Sequence, residues 1–270
     1  MTLRPLTPFR LPLSVDAVEL EIDGVYRAGS GTPLVFLHGF GSTKEDYADV
    51  VHQHDLDDHP VIAYDAPGCG ATASSAPGRT TVELLVEVAE RVLAHVGVDR
   101  FHLVGHSMGG LTALRLATRF PGRTAGFVNI EGNLAPEDCF LSRQIVSHRA
   151  DDPGEFLALF AERLRTSRFR SSSLYASSLP YKVRAEAVEP IFRTMVEHSD
   201  GLPLLDDFLA LPAPRMLMYG EQNSGLSYLP ELAANGVELA AVPRCGHFPM
   251  YANPTAMWDR ISAFLTAAER

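Results

Sequence analysis

The sequence predicts an α/β fold: a mostly parallel central sheet of about eight strands, helices on both faces, and a helical lid inserted between strands 6 and 7. Three observations carry this. Short continuous apolar runs such as Pro33 to Leu37, Val61 to Tyr64 and Gly126 to Ile130 alternate with amphipathic helical stretches, as a sheet covered on both faces requires. Several of these runs end in a glycine-rich or polar turn, which places ligand-binding loops at the carboxyl ends of the strands. From about Asn133 to Leu211, helical patterns replace the strand signals until a strand returns at Arg215. Residues 1–132 and 212–270 thus form the core, and 133–211 the lid.

Taken in order, Val18 to Ile22 alternates apolar and acidic residues, Asp23-Gly24 is a hairpin turn signal, and Val25 to Ala28 returns as a second edge strand. The buried run Pro33 to Leu37 ends in His38-Gly39-Phe40-Gly41-Ser42, where a glycine-rich loop can bring backbone N–H groups close to developing negative charge. Val61 to Tyr64 leads into Asp65-Ala66-Pro67-Gly68-Cys69-Gly70, a tight turn in which Asp65 reads as a holder of backbone N–H groups. Thr80 with Glu83 opens a helix whose face is Leu84, Leu85, Val88, Val92 and Val96, ended by Gly97. Strand Phe101 to Val104 then runs into Gly105-His106-Ser107-Met108-Gly109-Gly110 and a helix reaching about Phe120. A G-x-S-x-G placed between strand and helix has the context of a nucleophile elbow, with Ser107 exposed at the tip. The strand Gly126 to Ile130 ends at Glu131-Gly132. Lid helices are expected at Phe140 to His148, Glu155 to Arg165 and Arg184 to His198. Val237 to Val242 is the last strand, Cys245 to Phe248 the loop after it, and Pro254 to Ala268 the closing helix.

Composition narrows the function classes. With 270 residues the chain can bury one large core, and 23 basic against 33 acidic residues give a net charge of −10, which disfavours nucleic acid as a partner. No apolar stretch suits a secretory leader or a membrane span, so a cytoplasmic protein that does not engage a membrane is expected. Three cysteines far apart, without C-x-x-C spacing, point to reduced thiols rather than a disulfide framework or a zinc site. With no phosphate-binding glycine motif and no metal-ligand cluster, neither cofactor nor metal is expected.

Four motifs in order, His38-Gly39-Phe40-Gly41, Asp65 to Gly70, Gly105 to Gly110, and Gly246-His247-Phe248-Pro249 with Asn253-Pro254, make the sequence resemble the α/β-hydrolase superfamily over nearly its whole length. The resemblance implies Ser107 as nucleophile and His247 as its general base. A serine hydroxyl needs an adjacent imidazole to take its proton, and the imidazole needs a carboxylate to hold its tautomer. It also implies the backbone N–H groups of Phe40 and Met108 as oxyanion donors. Most members keep the acid after the strand corresponding to Met216 to Tyr219, where this chain has Asn223, an amide. A minority, including some haloalkane dehalogenases, carry it one strand earlier, which assigns the acid to Glu131, with Glu221 as the rival. Those dehalogenases attack with an aspartate. Ser107 in its place argues for acyl transfer to water.

His38, Gly39, Phe248 and Met250 are expected to line the pocket, and with Phe40 and Met108 they imply a small-molecule substrate with an apolar moiety. Arg163, Arg165, Arg168 and Arg170 in the lid suit either an anionic substrate or acidic carrier protein, or an ordinary solvated helix end near Glu155 and Glu162. The expected activity is hydrolysis of a carboxylic ester, thioester or lactone through an acyl-enzyme. Carbon–carbon bond hydrolysis and cofactor-free perhydrolysis share the triad, and a receptor that retains it for binding is the alternative of a different class.

Overall fold

The computed structural model describes residues 4–147 and 152–269. Among the described residues nine strands form one sheet: β1 (Thr7–Val15), β2 (Val18–Arg27), β3 (Leu34–Leu37), β4 (Val61–Tyr64), β5 (Ala73–Ser74), β6 (Phe101–His106), β7 (Thr124–Ile130), β8 (Arg215–Gly220) and β9 (Glu238–Val242). Their order is β1-β2-β4-β3-β6-β7-β8-β9, with the two-residue β5 beside β2. β1, β2 and β5 pair antiparallel at one end, and every neighbouring pair from β4 to β9 is parallel. Every residue of β3, β4, β6 and β7 is buried, the property that made them legible as uninterrupted apolar runs. The chain moves from β3 outward to β4 and then returns to β6 on the other side of β3. That reversal opens a crevice above the carboxyl ends of β3 and β6.

The edge hairpin differs from the sequence reading. β2 runs unbroken through Asp23-Gly24, and the turn lies at Asp16-Ala17, both with positive φ (49° and 59°). Gly24 sits mid-strand because the ring of Phe9 on β1 fills the space a side chain would need; a Cβ there would lie 2.3 Å from Phe9 Cζ. A glycine that admits a neighbouring ring looks, in sequence, like a glycine that turns the chain.

Core helices α1 (Val82–His95) and α2 (Met108–Arg119) follow their predicted patterns, although Thr81 rather than Thr80 caps α1, its side chain accepting from Leu84 N–H at 3.2 Å. Between β7 and β8 the described residues form α3 (Phe140–Val146), α4 (Pro153–Arg165), α5 (Arg170–Lys182), α6 (Val188–Gly201) and α7 (Leu204–Ala210), with no strand of the sheet among them. The end of the expected helix at His148 lies outside the described residues. The serine-rich α5 had no readable amphipathic signal, and Pro180 falls inside it. After β8 come α8 (Leu229–Ala234), α9 (Pro249–Ala252) and α10 (Pro254–Ala268). No helix among the described residues is long and apolar enough to cross a membrane.

The helical segment is seated by specific contacts. Gly70 N–H donates to Lys182 O (2.7 Å) and Arg184 N–H to Gly68 O (2.9 Å), so the turn after β4 grips the end of α5. Asp65 shapes that turn, accepting from the N–H groups of Lys44 and Ala71 (2.8 Å each) and from Lys44 Nζ (2.9 Å). Lys44 is buried and also meets Asp23 at 2.7 Å and Glu45 at 3.0 Å. Burial works against its charge, but the carboxylates outweigh burial and raise its pKa. Breaking such a buried set leaves uncompensated charge. Lys44→Met is therefore expected to lower unfolding free energy by about 3 kcal/mol, read as a drop in urea midpoint, whereas a loss under 1 kcal/mol would show that the cluster is not stabilising.

Candidate active site

The loops after β3, β6, β7, β8 and β9 meet over one cavity of about 310 Å³, lined by Phe40, Ser107, Glu131, Asn223, His247 and Phe248, among others. Ser107 connects β6 to α2 with φ 51° and ψ −120°, a conformation L-residues seldom adopt. It is held there by its N–H on Ile130 O (2.9 Å) and its carbonyl accepting from Leu111 N–H (3.0 Å). Close packing demands glycine two residues on: a Cβ on Gly109 would lie 2.1 Å from Leu37 O. Met108 opens α2, so its N–H has no acceptor within the helix and faces the helix's positive end.

Glu131 also has positive φ (53°), at the end of β7. Its side chain is 5% exposed, and His247 Nδ1 lies 3.2 Å from Oε2. Asn223 Nδ2 donates to the same oxygen, and Gly220 N–H donates to Oε1. Three donors thus surround one carboxylate and fix its position. Because a carboxylate oxygen accepts, His247 Nδ1 is the donor of this contact. Asn223, the amide at the position where the resemblance implies an acid, thus donates to the carboxylate at the end of β7. Glu221 does not reach His247; its Oε2 accepts from Arg244 N–H at 2.8 Å and braces the histidine loop from outside.

Of the four residues expected to line the pocket, Phe248 does so; His38, Gly39 and Met250 do not. Met250, on α9, is buried in the hydrophobic core, and Gly39 presses its backbone on His106 and Ser107, leaving 3.1 Å from a would-be Cβ to Ser107 Cβ. His38 is buried beneath the loop, with Nε2 accepting from Ala66 N–H and Nδ1 donating to Gly39 O (2.8 Å each). Burial lowers its pKa, which keeps the ring neutral and able to accept. His38 therefore fixes the Gly39–Phe40 peptide, whose N–H is the expected oxyanion donor.

Several lining residues had no sequence signal. His106, inside the elbow motif, is buried, and its Nε2 donates to His247 O at 2.8 Å, steadying the histidine loop; burial holds its pKa well below that of a free imidazole. The helical segment supplies Phe160, Tyr175, Phe192 and Met195. Phe40 packs on Phe192 (ring centroids 4.6 Å) and Phe160 (5.9 Å), and Tyr175 stacks on Phe248 (4.3 Å), making one wall aromatic. Glu137 and Asp138 lie on the lining too; burial pushes the Asp138 carboxyl up to about 6 despite hydrogen bonds from Leu134 and Ala135 N–H and Tyr228 O–H. None of the four lid arginines lines the cavity: all are exposed, Arg165 pairs with Glu162 at 3.1 Å, and Arg168 lies over the Phe169 ring.

A doubly wound sheet with a run of helices between β7 and β8, and a cavity at the strand ends lined by serine, histidine and carboxylate, define an α/β fold of the hydrolase class. The chain belongs to the alpha/beta hydrolase family, whose model matches residues 34–260. Among curated relatives it is 34% identical over 107 residues to a proline iminopeptidase of Clostridium botulinum, covering 37% of this chain and 36% of that protein. It is 35% identical over 108 residues to a 2-hydroxy-6-oxononadienedioate/2-hydroxy-6-oxononatrienedioate hydrolase of Paraburkholderia phymatum, covering 39% and 37%. The chain thus spans well under half of the length of these relatives. Two solved structures share the fold over almost everything. One is from work on carboxylesterases of the thaumarchaeon Nitrososphaera gargenis (TM-score 0.77, 17% identity, 96% of this chain and 99% of that one). The other is a thermophilic esterase of Thermogutta terrifontis (TM-score 0.74, 23% identity, 97% and 100%).

Proposed function

We propose that the protein is a serine hydrolase that cleaves a carboxylic ester, thioester or lactone with an apolar acyl group, through an acyl-enzyme on Ser107. The observation that carries this reading is the Glu131–His247 contact at 3.2 Å in the cavity that also exposes Ser107. Esterase names among the structural neighbours agree with it.

In this mechanism Ser107 Oγ attacks the carbonyl carbon while His247 Nε2 takes its proton, and the carbonyl π electrons move to oxygen. The Phe40 and Met108 N–H groups receive that oxyanion, with His38 holding the first of them in line. Collapse re-forms the carbonyl and expels the alkoxide or thiolate, which takes the proton from His247; in a lactone the leaving oxygen stays tethered to the acyl group. Water, deprotonated by His247, then attacks the acyl-enzyme, and collapse returns the proton to Ser107 and releases the acid. The Glu131 carboxylate, in contact with His247 Nδ1, compensates the imidazolium.

The aromatic wall predicts a preference that can be measured. Along a series of p-nitrophenyl esters, kcat/KM should rise about fourfold per added methylene, the equivalent of ~0.8 kcal/mol of burial, until the cavity is full. Running the same panel with thioesters and lactones against the protein and Ser107→Ala tests the reaction class. A flat chain-length profile would place the acyl group in solvent, and a stoichiometric burst without turnover would favour the receptor reading.

A further inference from the structure

We infer that Tyr175, on α5, is a positioning residue that aligns the oxyanion loop, so that the oxyanion site is complete only with this helix seated. The inference rests on the acyl-transfer reading above. Three independent observations support it.

First, the Tyr175 hydroxyl donates to the Phe40 carbonyl. The phenol is 2% exposed, and burial raises its pKa well above the ordinary value, so it remains a protonated donor. Second, Gly41 has φ +68°, and a Cβ there would lie 2.5 Å from Tyr175 Oη and 2.4 Å from Leu179 Cδ2. The oxyanion loop is bare at the point where α5 descends on it. Third, the Tyr175 ring stacks on Phe248, the residue after His247, with centroids 4.3 Å apart and planes at 26°. One side chain thus touches both loops that serve Ser107.

The geometry explains why this contact matters for chemistry. The Phe40 N–H belongs to the Gly39–Phe40 peptide, whose carbonyl accepts from His38 Nδ1 (2.8 Å) and from Ser42 N–H (3.1 Å). The next peptide, Phe40–Gly41, presents the carbonyl that Tyr175 holds. With the planes on both sides of Phe40 Cα fixed, the residue has no freedom to swing its N–H away. Freeing one plane restores a soft torsion at a donor that must meet the oxyanion in line, and small misplacements of such groups are costly in rate.

Tyr175→Phe removes the hydroxyl and keeps the stacked ring. It should lower kcat on the order of 10- to 100-fold, the range for a misaligned rather than absent oxyanion donor, and leave KM within about twofold. The control is Tyr251→Phe: Tyr251 is also next to Phe248, but its hydroxyl donates to Asp46 (2.7 Å) and not to the Phe40 carbonyl. A general loosening of the aromatic stack would affect both variants alike; a positioning role predicts loss of kcat in Tyr175→Phe only. A second readout does not depend on turnover. The backbone amide resonances of Gly39, Phe40 and Gly41 should shift or broaden in Tyr175→Phe and stay put in Tyr251→Phe. Unchanged amides, or an unchanged kcat in an active enzyme, would overturn the inference. An inactive wild type with shifted amides would instead count against the hydrolase reading and leave the alignment by Tyr175 standing.

Discussion

Ser107→Ala is expected to lower turnover by on the order of 10⁴-fold or more, with the fold retained. The backbone at this position is set by the Ile130 and Leu111 hydrogen bonds and by the packing of Gly109 against Leu37, none of which involves the hydroxyl. Alanine therefore loses the nucleophile and little else. The matching chemical test is a fluorophosphonate, whose phosphorus is attacked by an activated serine oxygen with loss of fluoride. Mass spectrometry should find one adduct on the wild type, on the peptide carrying Ser107, and none on the variant. Labelling at another serine with activity kept in Ser107→Ala would remove the acyl-enzyme mechanism. His247→Ala should prevent labelling too, because the hydroxyl then has no base.

The second large effect concerns the carboxylate. Glu131→Gln should reduce kcat on the order of 10³- to 10⁴-fold, through two causes that act together. The imidazolium formed during attack loses its countercharge. The glutamine amide can also turn its N–H₂ toward His247, which favours the tautomer with the proton on Nε2, where Ser107 needs a base. Asn223→Ala should cost far less, about tenfold, because it removes one donor to Glu131 and leaves the charge in place. Glu221→Gln should be nearly silent in turnover, since that side chain holds Arg244 N–H and not the histidine ring. A constructive arm completes the test. In Glu131→Ala, restoring an acid by Asn223→Asp should recover at least tenfold, because residue 223 approaches the oxygen that His247 contacts. Should Glu131→Gln keep near-normal kcat, the acid is elsewhere.

Which parts of this site were legible in sequence follows from what each part depends on. Ser107 was readable because an elbow needs glycine at fixed offsets and a strand before it, both of which are local. Glu131 was singled out by the resemblance to the minority of the superfamily that carries the acid one strand earlier, once the amide at position 223 was noticed, and the structure puts its carboxylate beside His247. The role of Asn223 itself was not: an amide in place of an acid looks like a loss, and only the three-dimensional contact shows it donating to Glu131. His38, the first residue of the His38-Gly39-Phe40-Gly41 motif, was expected in the pocket, yet its ring turns under the loop to bond Ala66 and Gly39. Rotamer choice at a turn is decided by which backbone groups lie in reach, and those come from a different strand.

The sequence alone determined the strand-helix alternation, the loops that meet over the cavity and the helical character of the segment between β7 and β8. These rest on periodicity and on glycine, which act over a few residues. The tertiary structure alone decided the position of the edge turn, where Phe9 across the sheet and not Gly24 itself sets the chain's course. It decided the aromatic wall as well, because Phe40, Phe160, Phe192 and Phe248 come from four separate stretches of chain. And it decided the part played by Tyr175: a serine-rich helix without a clear apolar face announces nothing, and its one buried phenol acquires meaning only where α5 meets the bare backbone of Gly41. Local pattern specifies elements; long-range packing, which pairs residues more than a hundred positions apart, specifies which of their side chains meet.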